Sequence, residues 1–60
     1  MIQEQYKNFL ITLDYKDKGG THFLVWKLDE EENPYDLWGE GFQSIRQAKT
    51  FINRESENGL

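Results

Sequence analysis

Residues 42–54 read FQSIRQAKTFINR, and the reading of this stretch decides the fold. Ser44 and Gln47 form a capping box, S-x-x-Q. In that motif the serine hydroxyl accepts from the N–H three residues on, and the glutamine side chain reaches back to the serine N–H. Beyond the cap, Ile45, Ala48, Phe51 and Ile52 fall on one face at helical spacing. Arg46, Lys49, Thr50 and Asn53 fall on the other. Phe42, just outside the cap, is placed to fold over the first turn. Asn58-Gly59 is a late stop signal, so the spacing predicts a helix over residues 44–55 with a frayed tail.

Working outward, the residues before this helix read as strands. Met1 to Gln5 is expected to be a loose lead-in. From residue 6 to 15 the pattern alternates, with Phe9, Ile11, Leu13 and Tyr15 on one face and Leu10, Thr12 and Asp14 on the other. The run KDKGG, residues 16–20, is a turn, because paired glycines tolerate positive φ. Residues 21–28 are a second strand, rich in aromatic and branched side chains. A turn centred on Lys18-Gly19 pairs Leu13 with Leu24, Ile11 with Trp26 and Phe9 with Leu28. That apolar set is the expected floor for the helix. The reverse face then pairs Asp14 with Phe23, Thr12 with Val25 and Leu10 with Lys27.

Residues 29–34, DEEENP, suit a loop, with four consecutive acids and the proline. Residues 35–42 are a third strand, interrupted by Gly39 and Gly41, which mark a bulge or a close approach by the helix. Alternation alone sends Trp38 to the side that Phe42 takes, and a bulge reverses that. The expected architecture is α+β: a three-stranded antiparallel meander with one C-terminal helix packed on one face.

Sixty residues make one domain. A chain of this size buries only about 60% of its unfolded surface and is marginal alone. With no cysteine there is no disulfide to help, and the ligand set is too poor for a zinc staple. Nine aromatic residues, each burying a large area, are one source of stability. Self-association is another. The formal charge of −4 argues against a protein that lives on phosphate backbone. No apolar run reaches the roughly 20 residues of a membrane span. The start MIQEQYKN lacks a secretory pattern, and the expected location is the cytoplasm.

Residues that carry chemistry are scarce. His22 is the single histidine and has no cysteine beside it, so neither a triad nor a zinc site assembles around it. Asp29, Glu30, Glu31, Glu32, Asp36 and Glu40 place six acids within twelve residues with no base among them. The calcium-loop spacing is absent from them. They read either as a solvated, self-repelling loop or as a docking surface for a basic partner. No cofactor is implied, and no enzymatic role is expected.

The run G-x-G-F-x-S-x-x-x-A-x-x-F-I, residues 39–52, resembles the end of a known small architecture. The amino-terminal arm-binding domains of phage-type tyrosine recombinases and the plant ethylene-response-factor domain are similar to it. Both have three strands followed by an F-x-T/S-x-x-x-A helix, matched here by Phe42, Ser44, Ala48 and Phe51. The resemblance implies a three-strand-plus-helix fold whose sheet enters the DNA major groove. Those families carry several basic residues on the exposed sheet face, where this chain places only Lys27, with Asp14 opposing.

The expected role is therefore a small non-enzymatic interaction module, in the manner of a phage or mobile-element accessory protein. It would bind a protein partner or its own copy through Leu10, Phe23, Val25 and Trp38 on the uncovered sheet face, with Glu30, Glu31 and Glu32 beside them. The alternative is a nucleic-acid binder using that face or the basic set Lys27, Arg46, Lys49 and Arg54.

Overall fold

The computed structural model describes residues 3–58. Four strands precede one helix: β1 (Gln3–Tyr6), β2 (Phe9–Asp17), β3 (Gly20–Leu28), β4 (Pro34–Phe42) and α1 (Ile45–Asn58). The strands form one antiparallel sheet in the order β1-β2-β3-β4. The α+β class and the C-terminal helix are as expected, but the sheet has four strands rather than three.

The extra strand comes from the region expected to be a lead-in, of which Met1 and Ile2 lie outside the described residues. Lys7-Asn8 forms a two-residue turn that pairs Tyr6 with Phe9, with Lys7 in the left-handed region at φ 55°. The Asn8 carbonyl accepts from the Leu28 N–H at 3.0 Å, which ties this turn to β3. Glu4 and Tyr6 point to the helix side. The Tyr6 hydroxyl donates to Asn53 Oδ1 (2.9 Å), Lys7 Nζ donates to the same atom (2.7 Å), and Glu4 pairs with Lys49. Lys49 and Asn53, expected on the solvent face of the helix, are thus drawn onto β1.

The helix starts as the capping box predicts, with one shift. The Gln47 N–H donates to Ser44 Oγ at 3.1 Å, but the Gln47 side chain accepts from the Gln43 N–H (2.8 Å), one residue earlier than expected. The helix also runs on to Asn58, past the expected end at residue 55. Gly59 of the stop signal lies outside the described residues.

The turn at Lys18-Gly19 forms as expected, with Asp17 paired to Gly20, Lys16 to Thr21 and Tyr15 to His22. Beyond Tyr15 the register shifts. Asp14 is an extra residue, a β-bulge, so Leu13 pairs with Phe23, Ile11 with Val25 and Leu10 with Trp26. One inserted residue exchanges the two faces of β3 relative to β2, because side chains alternate with period two. The floor of the helix is therefore Ile11, Phe23 and Val25, which form a buried core with Ala48 and Ile52. The expected floor residues Leu24, Trp26 and Leu28 lie on the opposite side.

Strand β4 is bulged as well. Its pairing with β3 shifts near Trp38, at Gly41 and near Tyr35. The shift at Trp38 and Gly39 turns both residues to the helix side. Trp38 stacks on Phe9 with centroids 4.6 Å apart and meets Phe51 at 5.2 Å.

Candidate functional site

Among the described residues, the four-stranded sheet carries its helix on one side. Strand pairing places Gln5, Leu10, Trp26 and Leu37 in one row across the other side, and Gln3, Thr12, Leu24 and Glu40 in the next. Tyr15 and His22 continue the face toward the β2–β3 turn. Among the described residues, no element covers these rows. Leu10, Leu24 and Trp26 are half-buried by their neighbours in the sheet, and Leu37 and Tyr15 are 42% and 52% exposed.

Two of these side chains are fixed in place. The Trp26 Nε1–H donates to Thr12 Oγ1 across the strand pair at 3.1 Å. This satisfies the one donor of the indole, so its remaining surface is apolar. Tyr15 stacks on His22 with centroids 4.1 Å apart and planes within 18°. The His22 Nε2 in turn lies 3.1 Å from Asp17 Oδ1, which also accepts from the Gly19 N–H at 2.8 Å. These hydrogen bonds, that from His22 foremost, hold the Asp17 carboxyl below its ordinary pKa. They stabilise the turn while the carboxylate is ionised, and that contribution fades as pH falls through the lowered value.

The expected partner-binding residues divide. Leu10 lies on the helix-free face as expected. Phe23 and Val25 do not: they are 7% and 0% exposed beneath the helix, turned there by the Asp14 bulge. Trp38 is also on the helix side, with its ring stacked on Phe9 and Lys27 Nζ 5.1 Å from its centroid. Leu24, Trp26 and Leu37 take their places, and sequence reasoning missed them. Strand β3 is apolar on both faces, so alternation could not say which set belonged to the core. The one available signal was size, since Val25 fits under a helix at Ala48 more readily than Trp26.

Glu30, Glu31 and Glu32 lie in the loop between β3 and β4, at one end of the sheet. The loop is more ordered than a self-repelling run suggests. Asp29 Oδ1 accepts from the N–H groups of Glu31 (2.8 Å) and Asn33 (2.9 Å), and Glu32 Oε1 accepts from Gln5 Nε2 (3.1 Å). Glu30 and Glu31 project into solvent.

The basic residues do not share one surface. Lys27, expected on the uncovered sheet face, is on the helix side over Trp38, in phase with Phe23 and Val25 after the Asp14 bulge, and Lys49 pairs with Glu4 while lying 5.2 Å from the Tyr6 ring centroid. Arg46 and Arg54 flank a separate open groove of about 450 Å3 floored by Phe42 and Phe51. Among the described residues, no three His, Asp or Glu side chains converge to hold a metal ion, and no helix is long and apolar enough to cross a membrane. No protein-family model matches the chain, no curated protein sequence matches it, and no solved structure matches it.

Proposed function

We propose that this chain is a small protein-interaction module that docks its partner on the helix-free face of the sheet, and that its role is binding rather than catalysis. The observation that carries the reading is the row Leu10–Trp26–Leu37, with Leu24 beside it, on a face over which no described element lies. Scattered apolar residues on a surface need no explanation, but a contiguous patch on a rigid sheet marks an interaction site. Trp26 is suited to an anchor: it is large, it is held by Thr12, and its polar atom is already bonded, so burying it leaves no donor unpaired. The acidic loop at the edge of this face supports fast encounter with a partner that is basic at the matching position.

The test compares the full chain with its Leu24→Glu and Arg46→Glu variants in two measurements, capture of protein on an immobilised chain and binding of the dye 8-anilinonaphthalene-1-sulfonate. Leu24→Glu should abolish capture and reduce dye fluorescence severalfold, with Arg46→Glu unchanged in both. Equal capture and equal fluorescence in all three proteins would overturn the reading.

A further inference from the structure

We infer that the occupant of the helix-free face is a second copy of this chain, docked face to face and head to tail. This rests on the reading of that face as a docking surface.

Among the described residues, the core on the helix side has five buried members, Ile11, Phe23, Val25, Ala48 and Ile52, with seven partly buried hydrophobic side chains packed against them. Chains this small rarely bury enough apolar area alone, and oligomerisation is one of the few remedies open to a chain without cysteine. The Cα extents are 37 × 24 × 15 Å, a slab two layers thick, and no described element lies over one broad side of the sheet. Packing two such sides together makes a four-layer sandwich of helix, sheet, sheet and helix. Strand length and spacing give the face roughly 500 Å2 of planar area. Two copies then bury about 1,000 Å2 or somewhat more, the lower end of specific interfaces.

The side chains at the centre of the face, Leu10, Trp26, Leu37, Thr12 and Leu24, are uncharged, so self-pairing buries no charge at its middle. The charges that border these rows are Asp14 and Glu40, both exposed, with Glu40 on the edge strand, where solvent screens its approach to the same residue of the partner copy.

The distribution of charge along the strands selects the orientation. One end of the sheet carries the loop Asp29–Glu30–Glu31–Glu32. The other carries the turn with Lys16 and Lys18, both exposed and, among the described residues, in no ion pair. The acid of that turn, Asp17, is taken up by His22 and the Gly19 N–H. Two copies stacked with like ends together would set eight carboxylates against each other. A two-fold axis across the strands instead lays each acidic loop over the partner copy's lysine turn, twice by symmetry. It also brings the row containing Trp26 over the row containing the stacked Tyr15–His22 pair, because the two rows lie equally far on either side of Leu24 in β3.

Sedimentation equilibrium of the full chain, from about 1 μM to 1 mM, tests this. A monomer–dimer equilibrium is expected with a dissociation constant on the order of 10 μM. Leu24→Glu, and independently Leu37→Glu at a more exposed edge position, should each weaken it at least tenfold while leaving the far-ultraviolet circular dichroism unchanged. The pair Lys16→Glu/Lys18→Glu should weaken it about tenfold at low salt, and adding Glu30→Lys/Glu31→Lys should restore it. A dimer indifferent to both leucine variants, or one in which the charge swap restores nothing, overturns the inference. So does a wild-type chain that stays monomeric to 1 mM. If that monomer still binds the dye and Leu24→Glu abolishes the binding, only the identity of the occupant falls. If it binds no dye, the docking-surface reading falls with it.

Discussion

Gly39 and Gly41 lie two residues apart in β4 and exclude side chains for different reasons. A Cβ at Gly39 would lie 2.9 Å from Cε2 of both Phe42 and Phe51, closer than carbon atoms approach without displacement. A Cβ at Gly41 would meet nothing within 4 Å, but its φ of +79° is one that L-residues adopt at a cost. The two positions should therefore respond to different replacements. Gly39→Ala is expected to cost about 1–3 kcal/mol through overpacking. Gly41→Ala is expected to cost about 1–2 kcal/mol through the backbone, and Gly41→Asn less, since asparagine tolerates the left-handed region. Urea denaturation of the three variants checks this. If Gly39→Ala proves neutral, the rings of Phe42 and Phe51 do not close over β4. The sequence marked both glycines as a bulge or a close approach, and both occur. It could not assign one to each, because the approach depends on Phe51, which arrives from another element.

Among the elements, α1 was the most legible and β1 the least. The cap, the apolar stripe and the direction of the helix all arise from residues within the single stretch 42–54, so local spacing was enough to read them. The Ser44 hydroxyl satisfies an N–H that the first turn would otherwise leave without a partner. Ser44→Ala should destabilise the protein by about 1 kcal/mol, lowering the urea midpoint with the slope unchanged. An unchanged midpoint would mean that solvent replaces the cap without loss. Strand β1, by contrast, has the sequence QEQY and shows no apolar alternation. Its place is made by Lys7 at positive φ, by Asn53 receiving both Tyr6 and Lys7, and by the Glu4–Lys49 pair. All of these partners but Lys7 lie on the helix, more than forty residues along the chain, and no window over the N-terminus contains them.

At the scale of the whole molecule, the fold rests, among the described residues, on five buried side chains with seven more partly buried around them. A 60-residue domain has a stability of about 3–9 kcal/mol at ordinary values per residue. Ile11 is fully buried at its centre. Ile11→Val should cost about 0.5–1.5 kcal/mol and leave a cooperative melt, whereas Ile11→Ala should cost about 2–5 kcal/mol and remove much of the folded population. Indistinguishable melts for the two variants would show that Ile11 does not fill this core. The sequence by itself determined the class of fold, the helix and its cap, and the turn at Lys18-Gly19, because each follows from contacts between near neighbours. Only the tertiary structure decided which side of the sheet is the inside. That choice depends on one extra residue at Asp14. The turn requires one register and the fit of Ile11, Val25 and Phe23 beneath Ala48 and Ile52 requires the next, and the bulge reconciles them. Both faces of β3 are apolar, so the decision belongs to the helix that covers one of them, and it leaves Leu24 and Trp26 facing outward.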